Sequence, residues 1–228
     1  MLYLIGGASR AGKTKLAQRL LSSAGVPWFS LDTLRVGLAR GFPELKFDPE
    51  FDDLAEADRL WPLVRAMSES LIATGPTECL EGVCLRPQQV ALLLADFPKQ
   101  VRACFLGYPN ISADLKASQV LAHAGGINDW LSGQSVEAIK EWLTAGIERS
   151  RQFEDECRVN GIPFIDTGGQ FEMALAKAEE SLVALEIANV RSRRGLRSAF
   201  HCEHFSVASA RLHPAVQKAC STPSGAAR

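Results

Sequence analysis

Apolar residues follow two alternating patterns along the chain. Short, mainly apolar runs predict buried strands at residues 2–5, 26–31, 79–85, 101–106 and 162–165. Apolar residues at helical spacing predict helices at residues 13–21, 54–73, 88–95 and 171–187, and over most of 111–160. Residues 43–53 show neither pattern and are predicted to form a loop. Strands that alternate with helices favour an α/β fold, so we expect five parallel strands, the third of them central, with helices on both faces.

Charge divides the chain into two unequal parts. The formal net charge is −1, yet residues 189–228 carry seven Lys or Arg against the single acid Glu203. Helical periodicity also ends near Asn189, where Arg, Ser, Ala and Pro become frequent. We therefore predict one domain at 1–188 and a basic, poorly ordered C-terminal tail at 189–228. Arginines in such a tail are more often solvated than bound to nucleic acid, which is not an expected partner.

The sequence disfavours both a membrane span and a disulfide framework. No apolar run reaches the ~18 residues that a span requires, and the N-terminus lacks the pattern of a secretion signal. The 6 cysteines are scattered, and Cys79, Cys84 and Cys104 lie in predicted buried strands, where cysteine behaves as a small hydrophobe. These features predict a soluble, cytoplasmic protein without a membrane partner.

One motif carries strong chemical information. Between the first predicted strand and the first predicted helix, eight residues fit G-x-x-x-x-G-K-[ST] without a mismatch: Gly7, Ala8, Ser9, Arg10, Ala11, Gly12, Lys13 and Thr14. Glycines let such a loop turn so that backbone N–H groups bind phosphate oxygens at a helix N-terminus. We expect Lys13 to reach the β- and γ-phosphates of ATP and the Thr14 hydroxyl to bind Mg²⁺. A dinucleotide-binding loop is disfavoured, because G-x-G-x-x-G is absent here.

Charged residues are expected at the carboxyl ends of the other strands, where open parallel sheets bind their ligands. Asp32 follows the second predicted strand and can cap the helix that begins at Thr33. An acid at this place can also orient or deprotonate an acceptor hydroxyl, and Arg35 on the same helix face can bind an anionic substrate group. We expect Asp32 to serve both as a cap and in catalysis.

Glu81 lies inside the third predicted strand, among apolar residues. A buried carboxylate is costly unless it is paired or lies near a metal ion. Glu81 is therefore a candidate for holding Mg²⁺ or a water molecule beside the substrate. The alternative is an edge position with the side chain in water.

These segments together resemble the small P-loop metabolite kinases. The resemblance rests on the loop at Gly7 to Thr14, on Ser30-Leu31-Asp32-Thr33-Leu34-Arg35, and on Leu80-Glu81-Gly82-Val83 followed by Arg86-Pro87. It covers about residues 1–187 and is greatest to the 2-phosphoglycerate kinase-like group, with a more distant likeness to shikimate, gluconate and chloramphenicol kinases. It implies a three-layer P-loop fold, a helical lid at about residues 111–160, and an acid that faces the acceptor hydroxyl, at the position of Asp32.

The resemblance also implies binding residues far from the loop. Lids of such kinases supply arginines to the phosphates, and Arg149 and Arg151 occupy the corresponding stretch here. The equally weighted alternative is a solvated helix face on which these arginines pair with Glu148, Glu154 and Asp155.

The segment after the fifth strand passes close to the adenine in such kinases, which makes Thr167 and Gly168 candidate nucleotide contacts. Arg35 and Arg86 favour an anionic acceptor. The predicted function is therefore ATP- and Mg²⁺-dependent transfer of the γ-phosphate to a hydroxyl or phosphate of a small, anionic metabolite. The alternative is a regulatory ATPase or GTPase module that binds nucleotide without a small-molecule acceptor.

Two further motifs are weaker signals. Asp166-Thr167-Gly168-Gly169 fits the D-x-x-G of GTPases, but it lies too late in the chain, and no Asn-Lys-x-Asp tetrapeptide accompanies it. His201-Cys202-Glu203-His204 offers metal-binding side chains, yet a complete set of ligands would need another residue from elsewhere.

Overall fold

A computed structural model describes residues 1–48, 53–122 and 133–196. Five strands form a sheet in the order β2-β3-β1-β4-β5, and every neighbouring pair is parallel. The strands are β1 (Leu2–Gly7), β2 (Trp28–Ser30), β3 (Glu78–Glu81), β4 (Val101–Gly107) and β5 (Phe164–Asp166). Because β1 is the middle strand, the loop that follows it lies at the centre of the edge where parallel sheets bind ligands. The predicted α/β class with five parallel strands is confirmed.

Helices connect the strands in the predicted alternation. They are α1 (Lys13–Ala24), α2 (Leu31–Gly41), α3 (Asp53–Thr74), α4 (Pro87–Asp96), α5 (Ala113–Leu121), α6 (Val136–Asn160) and α7 (Phe171–Leu196). A short 3₁₀ turn, Pro43–Leu45, lies in the predicted loop. Pro87 occupies the first turn of α4, where its missing N–H leaves no helical bond unmade. None of the described helices combines the length and the apolar character needed to cross a membrane.

The strand β1 explains why the sheet is covered on both faces. All of its residues are buried, and successive side chains point to opposite sides of the sheet. Leu2 and Leu4 therefore join one hydrophobic cluster, while Tyr3 and Ile5 join the other. Helix α6 contributes to both clusters, with its N-terminal half packing in the one that contains Tyr3 and its C-terminal half in the one that contains Leu2. The result is a layer of helices on each side of the sheet.

The structure corrects two predicted strands. β3 ends at Glu81 rather than at residue 85, and it lies beside the central strand β1 instead of being central itself. β2 is limited to Trp28–Ser30, because Leu31 already belongs to α2. The apolar run overestimates the length of β3 because Val83 and Leu85 are buried in the turn that leaves the sheet.

The C-terminal helix corrects another boundary. α7 continues to Leu196, beyond its predicted end at residue 187, so the first residues of the predicted tail are helical. Arginine and serine are compatible with a helix interior, and residues 188–196 contain no proline. The chain divides into two compact units, Met1–Ala188 and Asn189–Arg228, of which the second is described only as far as Leu196. The segment at residues 201–204, a weak candidate for metal binding, lies outside the described residues.

Candidate nucleotide-binding site

Two glycines shape the loop between β1 and α1. Gly7 has a φ of 131° and Gly12 a φ of 100°, values that side chains of L-residues rarely allow. A Cβ atom on Gly7 would lie 2.0 Å from the Leu106 carbonyl oxygen, and one on Gly12 would lie 2.9 Å from the Phe171 ring. A side chain at either position would therefore collide with β4 or with α7.

Hydrogen bonds hold the loop against the segment at and after β4. The Ala8 N–H donates to the Leu106 carbonyl at 3.0 Å, and the Ala11 N–H donates to the Ala8 carbonyl at 3.3 Å. At the outer part of the loop, the Tyr108 hydroxyl donates to the Ser9 carbonyl at 2.9 Å. Arg10, which follows Ser9, has a φ of 59° although it is not a glycine. The loop is thus fixed mainly through its backbone carbonyls and amides.

Lys13 is the first residue of α1 and is only 6% exposed. Its Nζ donates to the Ala8 carbonyl at 2.9 Å. A buried ammonium group is costly without compensation. The carbonyl of its own loop and the nearby charge of Glu81 provide that compensation.

Glu81 is the last residue of β3, where it is in register with Ile5 of β1, and it is 2% exposed. Its Oε1 accepts a hydrogen bond from the Thr14 hydroxyl at 3.3 Å, and its Oε2 has no hydrogen-bond partner among the described residues. Burial raises the pKa of Glu81; the charge of Lys13 opposes the rise and that of Asp32 adds to it. The alternative of a solvated edge position is therefore wrong, because β3 lies between β2 and β1.

Asp32 does not cap its helix in the predicted way. α2 begins at Leu31 with Ser30 as its N-cap, so Asp32 lies in the first turn of the helix. Its Oδ1 instead accepts a hydrogen bond from the Val83 N–H at 3.1 Å. The turn after β3 supplies this donor, which draws the carboxylate towards Glu81 and away from the amides of its own helix. The residue is half-buried.

The two arginines predicted for the acceptor site differ in their surroundings. Arg35 lies on the buried face of α2, one turn after Leu31, and is 8% exposed. Arg86 immediately precedes α4, and its Nη1 donates to both carboxylate oxygens of Asp58 on α3 at 2.8 Å. Arg86 is therefore engaged in an ion pair between α3 and the start of α4.

The two candidate lid arginines lie on α6. The Arg149 guanidinium is 6.0 Å from the centre of the Phe153 ring. Arg151 forms an ion pair with Glu148, as a solvated helix face requires, and its Nε donates to the Pro109 carbonyl at 3.2 Å. Residues 123–132, which fall within the predicted lid, lie outside the described residues.

The polar groups of Thr167 and Gly168, which follow β5, form hydrogen bonds with other protein atoms. The N–H and the hydroxyl of the fully buried Thr167 donate to the Gly107 carbonyl at 2.7 and 2.9 Å. The Gly168 N–H donates to Asp166 Oδ1 at 2.8 Å, and the Gly168 carbonyl accepts from Gln119 at 3.2 Å. These groups are engaged by protein atoms rather than directed to a base.

Sequence reasoning missed Tyr108 and Lys116. Tyr108 follows β4 and is fully buried, and the Nζ of Lys116 on α5 lies 4.3 Å from the centre of its ring. Burial lowers the pKa of Lys116 to about 8, against the opposing charge of Asp166. One signal could have identified Lys116, because it shares a helical period with Ala113, Ala117 and Val120, which pack in the core.

The structure thus brings Lys13, Thr14, Glu81 and Asp32 together where β1, β2 and β3 end. Arg86, Arg151 and Thr167 make their main contacts elsewhere in the protein. Within the described ranges, no three His, Cys, Asp or Glu side chains are grouped so that they could hold a metal ion by themselves.

Comparisons with known proteins give similarities of fold at low sequence identity. No protein-family model and no curated protein matches the sequence. A shikimate kinase from Bacteroides thetaiotaomicron is 17% identical with a TM-score of 0.47, over 79% of this chain and 97% of that one. A gluconokinase from Sinorhizobium meliloti 1021 is 18% identical with a TM-score of 0.46, over 84% and 96%. A shikimate kinase from Acinetobacter baumannii in complex with shikimate is 13% identical with a TM-score of 0.49, over 82% and 93%.

Proposed function

We propose that this chain is a P-loop phosphotransferase that uses ATP and Mg²⁺ to phosphorylate a hydroxyl or phosphate of a small, anionic metabolite. The observation that carries the proposal is the meeting of two acids, Glu81 and Asp32, beside Lys13 and Thr14 at the start of α1. A glycine turn with a purely structural role needs neither acid. Phosphoryl transfer needs positive groups for the phosphates, an acid near the metal and a group that faces the acceptor.

Lys13 and the loop amides are the proposed phosphate-binding groups. The Lys13 ammonium donates a hydrogen bond to the neutral Ala8 carbonyl. A phosphate oxygen is charged and therefore a stronger acceptor for the same ammonium group. The N-terminal end of α1 adds its partial positive charge at the same place. Positive groups held in place before the reaction stabilise the negative charge that develops on the transferring phosphoryl group.

Glu81 and Thr14 fit a magnesium ion. Among the described residues, Glu81 Oε2 is buried without a hydrogen-bond partner, and Oε1 accepts a long hydrogen bond, at 3.3 Å, from Thr14. The Ser30 side chain also favours the charged form of this carboxylate. Magnesium prefers oxygen ligands and is commonly held by one or two carboxylates together with substrate phosphates. When bound, the ion would neutralise phosphate charge and offset the cost of burying Glu81, which would hold it directly or through water.

Asp32 is the proposed acceptor-facing acid. The Val83 N–H fixes one of its carboxylate oxygens at the end of β3, and the half-buried side chain remains accessible. A carboxylate held there can orient an acceptor hydroxyl and accept its proton as the new bond to phosphorus forms.

Arg35 is the stronger of the two candidates for recognising an anionic acceptor. It lies three residues after Asp32 on α2, so both side chains belong to the same side of one helix. Arg86 instead precedes α4, and its ion pair with Asp58 is suited to fixing the position of that helix. A planar guanidinium can bind a carboxylate or phosphate through two hydrogen bonds, which favours acceptors of this class.

A direct test is phosphate transfer from ATP and Mg²⁺ to a panel of acceptors, comparing the wild type with Lys13→Ala and Asp32→Asn. The panel contains sugar acids, phosphorylated three-carbon acids, shikimate, gluconate, nucleoside monophosphates and neutral sugars. We expect transfer to an anionic acceptor and a loss of about 100-fold or more in kcat/KM for each variant. Lys13→Ala should also weaken ATP binding, whereas Asp32→Asn should leave the Kd for ATP nearly unchanged.

Two outcomes would contradict the proposal. Undiminished transfer by Asp32→Asn would remove Asp32 from catalysis. Tight binding of ATP with no transfer to any acceptor would favour the regulatory module instead. The GTPase form of that module has little structural support, because Asp166 is the last residue of β5 at the edge of the sheet, with β4 between it and the central strand.

A further inference from the structure

The Tyr108 hydroxyl contacts the backbone of the phosphate loop directly. It donates a hydrogen bond to the Ser9 carbonyl at 2.9 Å, across 99 positions of sequence. Ser9 lies in the middle of the phosphate loop, and its carbonyl belongs to the same peptide unit as the Arg10 N–H. In a trans peptide the C=O and the N–H point in opposite directions. A hydroxyl that holds the carbonyl on one side therefore directs the N–H to the other.

Arg10 needs such a restraint. Its φ of 59° lies in the left-handed region, which a residue with a side chain rarely adopts. The conformation costs about 1–2 kcal/mol relative to the right-handed one, so an isolated loop would tend to relax. The hydrogen bond at Ser9 acts on the peptide immediately before this strained residue.

Tyr108 is held in place through both its backbone and its ring. Its backbone N–H donates to Ser150 Oγ at 3.0 Å, and the Ser150 hydroxyl donates in turn to the Gly146 carbonyl at 2.7 Å. A Cβ atom on Gly146 would lie 2.2 Å from the Tyr108 hydroxyl oxygen, so α6 passes directly over it. Lys116 packs against the ring face. A ring fixed in this way places its hydroxyl with little freedom.

We infer that Tyr108 is a positioning residue that holds the Ser9–Arg10 peptide with its N–H directed to the bound phosphates. It acts through the loop backbone and need not touch the nucleotide. The inference rests on the proposed function, because it assumes that the loop binds phosphate. It adds a connection from α5 and α6, through Lys116, Gly146 and Tyr108, to the phosphate loop.

The test is the affinity of the full chain for ATP and for inorganic tripolyphosphate, measured by calorimetry for the wild type and Tyr108→Phe. The variant keeps the ring and removes only the hydroxyl. We expect the Kd to rise about fivefold for both ligands, the effect of losing one hydrogen bond. Tripolyphosphate carries no base, so an equal rise for both ligands locates the effect at the phosphates.

Tyr3→Phe is the matched control. Tyr3 is the other of the 2 tyrosines in the chain and is equally buried, but it lies near the start of β1, four residues before the phosphate loop begins at Gly7. We expect it to leave both Kd values within about twofold of the wild type. Gly146→Ala is a second, independent variant that keeps the hydroxyl but displaces it, and it should raise both Kd values in the same way.

The outcomes separate this inference from the proposed function. If the wild type binds neither ATP nor tripolyphosphate, both are overturned. Suppose that the wild type binds both ligands. Equal weakening of binding by Tyr108→Phe and Tyr3→Phe would then overturn the role of Tyr108 but not the proposed function. A rise in the Kd of Tyr108→Phe for ATP but not for tripolyphosphate would do the same. Should Tyr108→Phe fail to fold, as judged by circular dichroism, unchanged affinities in a folded Gly146→Ala protein would overturn it.

Discussion

At the scale of single residues, Glu81 is placed where its charge is unfavourable for stability. Burial raises its pKa, so the folded protein holds the Glu81 proton at pH values where the unfolded chain has released it. The folded state therefore binds more protons in this range, and stability falls as the pH rises from about 4.5 through the folded pKa. Titratable groups with shifted pKa values are frequent at functional sites, where the residue type is suited to binding or catalysis rather than to stability.

The variant Glu81→Gln should separate the effect of Glu81 on stability from its effect on Mg²⁺ binding. Glutamine does not titrate, so the stability of the variant should rise relative to that of the wild type as the pH increases above about 4.5. It should also lose most of the Mg²⁺-dependent activity, by about 100-fold or more. Thermal unfolding across pH, together with ATP titrations at varied Mg²⁺, measures both effects.

Glu78→Gln provides the control for this change, since Glu78 lies at the opposite end of β3. It should alter neither the Mg²⁺ dependence nor the activity. A Glu81→Gln protein with wild-type Mg²⁺ dependence would exclude Glu81 from the metal site.

At the scale of elements, the corner between β3 and α2 determines where Asp32 lies. Gly82 follows β3, and its N–H continues the sheet by donating to the Ile5 carbonyl at 3.1 Å. A Cβ atom on Gly82 would lie 2.9 Å from the Leu31 Cβ and 3.1 Å from Asp32 Oδ1. The start of α2 therefore packs directly on this glycine. The absence of a side chain at residue 82 lets Asp32 reach the Val83 N–H.

We expect Gly82→Ala to push α2 away from β3 and to displace the Asp32 carboxylate. The predicted cost is about 1–3 kcal/mol of stability, as for other overpacked sites. The displaced acid should lower kcat/KM for the acceptor by about 10- to 100-fold, while the Kd for ATP changes little. Steady-state kinetics with varied acceptor, together with denaturant unfolding, provide the measurement.

Gly37→Ala is a useful comparison within the same helix. A Cβ atom at Gly37 meets no atom within 4 Å, so alanine should raise stability by up to about 1 kcal/mol and leave the kinetics unchanged. Equal kinetic effects of the two substitutions would show that the packing of Gly82 on Asp32 does not matter for turnover.

At the scale of the whole molecule, the residues of the proposed site all belong to the unit Met1–Ala188. The core positions that α7 contributes, Leu175, Ala178 and Leu182, also lie before its end. The basic residues of the C-terminal segment fall beyond it. The sequence-based division at residue 188 therefore remains a prediction with a direct test.

A chain that ends at Ala188 should fold and bind ATP like the full chain. We expect its free energy of unfolding to change by less than about 1 kcal/mol, because no described core residue is removed. A chain that ends at Lys177 loses Ala178 and Leu182, which are buried, and should lose roughly 3 kcal/mol or more. Loss of ATP binding in the chain ending at Ala188 would show that the C-terminal segment contributes to the site.

Features that depend on neighbouring residues could be predicted from the amino-acid sequence. The loop from Gly7 to Thr14 is contiguous, so its glycines and its lysine could be recognised without knowing the rest of the fold. The alternation of apolar runs and helical periods gave the α/β class for the same reason. The end of β3 was less predictable, because apolar residues that are buried in a turn look like the continuation of a strand in the sequence. The end of α7 was less predictable, because its last residues are compatible with a helix but show no apolar periodicity.

Contacts between residues far apart in the sequence became known from the fold alone. Glu81 reaches Thr14 across 67 positions because β3 pairs with β1, and Tyr108 reaches Ser9 across 99 positions because β4 pairs with the other side of β1. The order of strands depends on how two cores pack against one sheet, a property of the whole chain. Asp32 likewise binds the Val83 N–H rather than capping its own helix, since the turn after β3 brings that donor to it.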